Sequence, residues 1–252
     1  MNLLITGGAS GIGAETARRA AAKGYKVAIN YRSREDKARR VVDDIAAAGG
    51  HAVALPGDVA READIVALFD AAERALGKLT HVVNSAGIGL HSSVAEFDAA
   101  ALERLFAINT VGLILCCREA ARRLSTRRGG QGGVVVNVSS MAATIGGRPG
   151  SAAYAASKAA VDSFTMGFAK EMAGEGIRAV SLRPGMIETE MTEATLANCE
   201  VRSAIESTIA MGRVGQAREI AQAILWLLSD EASFISGVTL DASGGGFVFG
   251  KR

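Results

Sequence analysis

The fold is decided by a short apolar run that leads directly into a glycine-rich turn. Residues 3–13 read Leu3-Leu4-Ile5-Thr6-Gly7-Gly8-Ala9-Ser10-Gly11-Ile12-Gly13. The first four residues predict a buried strand, and residues 11–23 predict a helix that ends at Gly24. Because glycines lack a Cβ and a helix start offers free N–H groups, such a turn suits a pyrophosphate.

The glycine spacing is G-x-x-x-G-x-G, so it departs from the dinucleotide fingerprint G-x-G-x-x-G. Thr16 stands where the last glycine of that fingerprint would be. Taken alone, the turn could be only a tight connection. Its position after the first strand of an alternating chain favours dinucleotide binding, with contacts expected from Gly7, Ala9, Ser10, Gly11, Ile12 and Gly13.

The same alternation of short apolar runs and amphipathic stretches continues to the end of the chain. Further strands are predicted at 26–30, 52–55, 81–84, 134–138, 177–182 and 238–241. Further helices are predicted at 33–49, 61–76, 98–124, 154–173 and 217–228, the first opened by a Ser33–Asp36 capping box. Continuous apolar strands are typical of sheets that helices cover on both faces. We therefore predict an α/β fold with a doubly wound parallel sheet of seven strands in three layers.

Length and composition indicate one soluble globular domain. The chain has 252 residues, of which 49% are hydrophobic and 21% charged, and its net charge is +2. We expect a single domain over residues 1–252, with a substrate-binding lid segment at about 190–212. The sequence has no basic stripe of the kind that indicates nucleic-acid binding. It also has no apolar run of the kind that indicates a membrane span or a signal peptide. The three cysteines cannot form a disulfide framework, so we expect a cytoplasmic protein.

The end of the second predicted strand bears on which nicotinamide cofactor binds. The sequence there is Asn30-Tyr31-Arg32-Ser33-Arg34. A ribose 2′-OH requires a carboxylate at this point, whereas a 2′-phosphate requires a guanidinium. We therefore predict NADP(H) over NAD(H), with Arg32 as the anchor beside Tyr31 and Ser33. The alternative is that Arg32 is solvated and that Glu35 or Asp36 binds the ribose.

Two later strand ends are also expected to contact the cofactor. After the third strand, Asp58 and Val59 are placed to contact the adenine. After the fourth strand, Asn84, Ala86 and Gly87 provide small residues beneath the cofactor. Either segment could also be ordinary turn chemistry.

Candidate catalytic residues lie around the fifth strand and the following helix. Ser140 ends the strand, while Tyr154 and Lys158 are i,i+4 neighbours on one helix face. A carbonyl that accepts hydride needs a proton donor, and a nearby ammonium lowers the pKa of a phenol. Ser140 can hydrogen-bond the substrate oxygen, and Asn109 can hold a water that links Lys158 to solvent. The alternative for an isolated Tyr-x-x-x-Lys is a half-buried tyrosine beside a surface lysine.

Together these motifs make the chain resemble the short-chain dehydrogenase/reductase family over residues 3–246. The resemblance rests on Thr6-Gly7-x-x-x-Gly11-x-Gly13, Asp58, Asn84-x-Ala86-Gly87, Asn109, Ser140, Tyr154-x-x-x-Lys158, Pro184-Gly185-x-x-x-Thr189 and Ser243-Gly244-Gly245. It implies that Tyr154 is the general acid/base, that Lys158 lowers its pKa and contacts the nicotinamide ribose, that Ser140 polarises the carbonyl and that Asn109 maintains a proton relay. It further implies a homotetramer, or else a dimer, and a nicotinamide end held by Pro184, Gly185, Ile187 and Thr189.

The expected reaction is hydride transfer between NADP(H) and a ketone or secondary alcohol, without a metal. His51, His81 and His91 are scattered, and no zinc spacing is present. Substrate contacts are expected from Ser140, Tyr154, Met186 and Met191. The sequence leaves open a 3-oxoacyl-carrier-protein reductase, a sugar or polyol dehydrogenase, and a non-catalytic NADP-binding protein. An acyl carrier protein would need a basic docking patch near the cleft, for which the candidates are Arg122, Arg123, Arg127 and Arg128.

Overall fold

A computed structural model describes residues 1–246; of the predicted domain 1–252, residues 247–252 lie outside the described part. The strands are β1 (Asn2–Thr6), β2 (Lys26–Tyr31), β3 (His51–Pro56), β4 (His81–Asn84), β5 (Gly133–Val138), β6 (Ile177–Pro184), β7 (Ile187–Glu188), β8 (Gly215–Gln216) and β9 (Thr239–Ala242). The helices are α1 (Gly11–Ala22), α2 (Glu35–Ala47), α3 (Glu62–Leu76), α4 (Ala99–Phe106), α5 (Leu113–Leu124), α6 (Ala142–Ile145), α7 (Ala152–Met172), α8 (Glu190–Leu196), α9 (Cys199–Glu206) and α10 (Ala217–Leu228).

Seven parallel strands form the central sheet in the order β3-β2-β1-β4-β5-β6-β9, which confirms the predicted fold. Along β1, Leu3 and Ile5 belong to a core with residues of α1 and α10, whereas Leu4 belongs to a core with residues of α3, α5 and α7. Both faces of the inner strands are buried, which explains their apolar sequence, whereas the edge strands β3 and β9 are only partly buried. The strand order reverses between β1 and β4, so the adjacent loops form a crevice at the carboxyl ends of the strands.

The predicted helix 98–124 is interrupted in its middle. A π-helical segment, Ala107–Gly112, separates α4 from α5 and carries Asn109. A Cβ on Gly112 would lie 2.1 Å from the Val59 carbonyl oxygen, so this glycine allows the segment to pack against the loop after β3. Helical periodicity alone does not distinguish a π segment from a continuous α-helix.

Two local predictions differ from the structure. The Ser33–Asp36 capping box is wrong, because α2 begins at Glu35 after Arg34, without a side-chain cap. The predicted lid segment contains α8 and α9, whose buried Leu196 and Ile205 pack with Ile209 and Val214 in a small core of their own. Short strands β7 and β8, which the sequence did not predict, pair on either side of this segment.

One helical stretch of the described residues is long and apolar enough to span a bilayer, contrary to the sequence-based expectation. It is Ala99–Leu124, and 44% of its most apolar window is buried inside the fold. The stretch contains the fully buried Asn109 and the buried Glu119, which pairs with arginines. A core helix of a globular protein meets the same criteria of length and composition.

Candidate active site

The glycine turn after β1 leaves no room for side chains. Gly7 has a φ of +66°, and a Cβ there would lie 2.8 Å from the Cα of Ala86. A Cβ on Gly13 would lie 2.3 Å from the Gly7 carbonyl oxygen. Ser10 precedes α1 without making a side-chain cap, so the first N–H groups of the helix remain available to an anion. These residues fit the pyrophosphate of a dinucleotide.

Asn30, at the end of β2, organises the turn from beneath, a role that the sequence analysis did not assign. It is buried, and its Oδ1 accepts a hydrogen bond from the Gly7 N–H at 3.4 Å. Its Nδ2 donates to the Gly57 carbonyl oxygen at 2.9 Å. The amide therefore links the loops that follow β1 and β3. A polar residue at the end of an otherwise apolar strand is the signal that could have identified it.

At the predicted adenosine end, hydrogen bonds hold the Asp58 carboxylate in place. Asp58 Oδ1 accepts from the Ala60 N–H at 3.0 Å, and Oδ2 accepts from Arg104 at 2.7 Å. Partial burial opposes ionisation, but these hydrogen bonds and the nearby Arg104 and Arg32 hold the pKa of Asp58 below its usual value. The sequence analysis did not predict Arg104, which comes from α4 and fixes the carboxylate.

The predicted 2′-phosphate residues lie at the start of α2. Arg32 and Ser33 are exposed, Tyr31 is half-buried, and within residues 1–246 Arg32 makes no hydrogen bond or ion pair. Of the alternative acids, Glu35 pairs with Arg39 within α2. Asp36, the other alternative, lies beside Glu35 in the first turn of α2 with its side chain exposed.

The small residues after β4 form one wall of the crevice. Thr6 Oγ1 accepts from the N–H groups of Ser85 and Ala86, both at 3.2 Å, and so fixes this loop against β1. The Asn84 side chain, by contrast, is buried between strands and donates to Asn137 Oδ1 at 2.8 Å. Its side chain is not in the cleft, because β4 turns this position towards the core.

Three of the four predicted catalytic residues line the cleft. Tyr154 and Lys158 share one face of α7, and Ser140 follows β5. Lys158 is buried; its Nζ donates to the Val138 carbonyl oxygen at 2.9 Å and lies 6.0 Å from the centroid of the Tyr154 ring. Asn109 lies directly behind this group.

Asn109 is fully buried and held on both sides of its amide. Its Oδ1 accepts from the Ile88 N–H at 2.9 Å, and its Nδ2 donates to the Ile88 carbonyl oxygen and to Ser157 Oγ. A Cβ on Gly87 would lie 3.3 Å from Asn109 Oδ1 and 3.5 Å from Lys158 Nζ. Gly87 therefore leaves space where Asn109 and Lys158 approach each other. Ser157, within the Tyr-x-x-x-Lys segment, is a partner that the sequence analysis missed.

The pKa values of Tyr154 and Lys158 are both shifted in the structure. Burial raises the pKa of Tyr154, and a hydrogen bond with Ser140 only partly offsets it. Lys158 does not contribute to this shift, because its ammonium donates to the Val138 carbonyl, and its expected lowering of the Tyr154 pKa stays a prediction. Burial lowers the pKa of Lys158 to about 8, while Asp162, one turn further along α7, acts in the opposite direction. Asp162 is itself buried and accepts from Ser181 and from Arg183 Nε at 2.8 Å.

A cavity of about 690 Å³ joins the glycine turn to these side chains. Pro184, Gly185, Ile187 and Thr189 line it at the predicted nicotinamide end, and Met186 and Met191 at the predicted substrate end. Leu90, Met141 and Ile145 add further apolar lining, as do Ile12, Ala86, Val138 and Ala142. His91 and Arg148 lie at its rim, and the His91 ring packs against Gly150.

The basic run proposed for a carrier protein does not face this cavity. Arg122 and Arg123 pair with the buried Glu119, and Arg127 lies near Glu175. The run follows α5 and leads into the amino end of β5, whereas the cavity lies at the carboxyl ends of the strands. The prediction that these arginines form a docking patch near the cleft is therefore wrong. Within residues 1–246 no group of three potential metal ligands comes together.

Fold and site together define a dinucleotide-binding oxidoreductase scaffold. A family model described as enoyl-(acyl carrier protein) reductase matches residues 7–246. An uncharacterized oxidoreductase of Escherichia coli K12 is 43% identical over 96% of this chain and 98% of that protein. The 3beta-hydroxysteroid dehydrogenase 1 of Eggerthella lenta is 39% identical over 99% of this chain and 96% of its own length.

One solved structure has a similar fold. The short-chain dehydrogenase of Burkholderia cenocepacia J2315 in complex with NADP superimposes with a TM-score of 0.90 at 32% identity, covering 96% of both chains. The chain belongs to the short-chain dehydrogenase/reductase family, whose members use a nicotinamide cofactor.

Proposed function

We propose that this protein is an NADP(H)-dependent oxidoreductase that interconverts a ketone and a secondary alcohol. The observation that carries the proposal is the convergence of Ser140, Tyr154 and Lys158 on one cavity, with Asn109 behind them. The nicotinamide, when bound, supplies or accepts the hydride. The protein must then deliver or remove one proton at the substrate oxygen and hold that oxygen in place.

Tyr154 is the proposed proton donor and acceptor. Its phenol lies beside Ser140, so both hydroxyls can hydrogen-bond one substrate oxygen. Because burial raises the pKa of Tyr154, the tyrosine is a neutral donor in the free protein, which suits reduction of a ketone. In the oxidising direction it must ionise, and the ammonium of Lys158 stabilises the phenolate if it turns from Val138 towards the ring.

Preference for NADP(H) is proposed from the charges at the start of α2. Arg32 is an exposed guanidinium at the end of β2, and Ser33 and Arg34 follow it. A 2′-phosphate forms charge-assisted hydrogen bonds with such groups, whereas the next acids in sequence, Glu35 and Asp36, lie within α2. The Burkholderia relative, which binds NADP, is consistent with this preference.

Among substrates, the cavity favours a carbonyl on an apolar carbon skeleton. Leu90, Met141, Ile145, Met186 and Met191 give the cavity apolar surface away from the catalytic group, beside the polar side chains of His91, Arg148, Ser151 and Thr195. Such a lining buries hydrocarbon better than the hydroxyls of a sugar or polyol. The Eggerthella relative is named for a steroid substrate, and the matching family model for an acyl-carrier substrate.

Turnover of a carbonyl panel with NADPH and NADH tests the proposal. The panel contains hydroxysteroids, an acetoacetyl thioester and polyols, and wild-type protein is compared with Tyr154→Phe. We expect the variant to bind NADPH normally and to lose at least 100-fold in kcat, as is typical for removal of a general acid. A wild type that binds NADPH but is inert across the panel would favour a non-catalytic NADP-binding protein. A clear preference for NADH would contradict the role of Arg32.

Assembly and location are proposed on the same basis. We propose a homotetramer, or else a dimer, because apolar side chains are exposed on the surface of the described chain: Val111 in the π-helical segment, Met166 on α7 and the fully exposed Phe234 before β9. Light scattering of the purified protein would measure the assembly. A cytoplasmic location is consistent with three free cysteines, of which Cys116 and Cys117 are buried.

A further inference from the structure

An ion-pair cluster connects the lid segment to the other end of the predicted dinucleotide groove. Glu190, the first residue of α8, accepts hydrogen bonds from Arg34 and from Lys37. Arg34 immediately precedes α2, and Lys37 lies in its first turn. Glu190 is 156 positions from Arg34 and 153 from Lys37 in sequence, and the contact joins two elements that share no other ion pair among residues 1–246.

The cluster lies across the groove. Thr189 precedes Glu190, lines the nicotinamide end of the cavity, and its Cγ2 would be 3.4 Å from a Cβ on Gly11. The same stretch of chain therefore passes over the glycine turn and reaches the start of α2. A dinucleotide that extends from Tyr154 along the glycine turn to Arg32 therefore lies next to the Glu190 ion pairs.

Glu190 is distinguished from the other acids of the lid segment by its partners. Its side chain is 38% exposed, and the hydrogen bond from Lys37 and the charge of Arg34 hold its pKa below the usual value. Glu193, three residues along the same helix, forms no hydrogen bond or ion pair through its side chain among the described residues. The two glutamates differ chiefly in this contact, so Glu193 provides a matched control.

We propose that Glu190 is a positioning residue that retains the bound dinucleotide by fastening the lid segment to α2 across the groove. The inference rests on the proposed function only in requiring that a nicotinamide dinucleotide binds. Release requires the lid segment to separate from α2, so the ion pairs of Glu190 with Arg34 and Lys37 must break first. Exposed ion pairs are individually weak, so two of them are expected to slow release by about 3- to 10-fold.

The test measures cofactor release without turnover. NADPH and NADH dissociation are followed by stopped-flow fluorescence for wild type, Glu190→Gln, Glu193→Gln and Lys37→Gln. We expect Glu190→Gln to release both dinucleotides about 3- to 10-fold faster, with Glu193→Gln unchanged. Lys37→Gln should accelerate release and should add little when combined with Glu190→Gln, because the two changes remove one contact.

Hydrogen exchange of the cofactor-free protein provides a second readout. We expect faster exchange over residues 190–196 in Glu190→Gln than in Glu193→Gln, since only the first variant loses the contact with α2.

Three results would overturn the proposal. Unchanged release by Glu190→Gln would show that the ion pairs do not retain the cofactor. If Glu190→Gln released NADPH more slowly than wild type but left the release of NADH unchanged, Glu190 would instead compete with the 2′-phosphate for Arg34 and Lys37. Failure of the wild type to bind either dinucleotide would overturn the proposed function as well, whereas binding of NADH alone would overturn only the NADP(H) preference.

Discussion

Cofactor affinity is expected to fall as pH rises through the pKa of Lys158. Burial lowers that pKa from 10.5 to about 8, so the ammonium form is lost well below the range of an exposed lysine. At this value about nine-tenths of Lys158 is charged at pH 7 and about one-tenth at pH 9. If the ammonium is the form that donates to the nicotinamide ribose, the Kd for NADPH rises about 5- to 10-fold over this interval.

Fluorescence titration of NADPH from pH 6.5 to 9.5 measures the effect, and two variants isolate its cause. Lys158→Met should bind NADPH more weakly but with no dependence on pH between 7 and 9, since the 2′-phosphate titrates near pH ~6. Asp162→Asn should move the midpoint to lower pH, because the Asp162 carboxylate raises the pKa of Lys158. A wild-type Kd that stays constant to pH 9, or an equal rise in Lys158→Met, would refute the reasoning.

Two further predictions concern the scaffold. Burial holds the pKa of His81 at about 4, so the neutral ring contributes stability that is fully present above pH ~6.5 and is lost as pH falls towards 4; the loss is about 3 kcal/mol. Urea unfolding at pH 7.5 and 4.5 should show this loss in wild type but not in His81→Gln, and equal losses would contradict it. Gly13→Ala should destabilise the fold by about 1–3 kcal/mol and weaken NADPH binding at least tenfold, because its Cβ would strike the Gly7 carbonyl. Gly167→Ala, in open space on α7, should be neutral or stabilising in the same assays, and similar losses in both variants would argue against the steric cause.

The sheet could be predicted from sequence because its pattern is local. Every strand from β1 to β6 has a short apolar run with turn residues behind it, and burial on both faces removes the polar alternation that would otherwise complicate the assignment. The relative position of Tyr154 and Lys158 could also be predicted from sequence, because i,i+4 spacing places them on one face of a helix. These parts of the fold depend on neighbours in sequence.

The contacts that the sequence did not predict join residues far apart in the chain. Asn30 reaches Gly57, Arg104 reaches Asp58, and Lys158 selects the Val138 carbonyl instead of the tyrosine ring. The π segment at Asn109 likewise depends on close packing of Gly112 against the loop after β3. Each outcome is set by packing between elements, which periodicity and spacing do not encode.

The small core formed by Leu196, Ile205, Ile209 and Val214 makes the segment between β7 and β8 a nearly self-contained cassette. Its apolar residues pack mainly on one another, and the short ladder of Ile187 and Glu188 with Gly215 and Gln216 brings its two ends together. Exchange of this cassette for that of a relative, with the ladder kept intact, changes Met191, Thr192 and Thr195 of the cavity lining and leaves the seven-stranded sheet untouched. The same exchange also replaces Thr189 and Glu190, so this wall of the cavity cannot change without changing residues proposed to hold the dinucleotide.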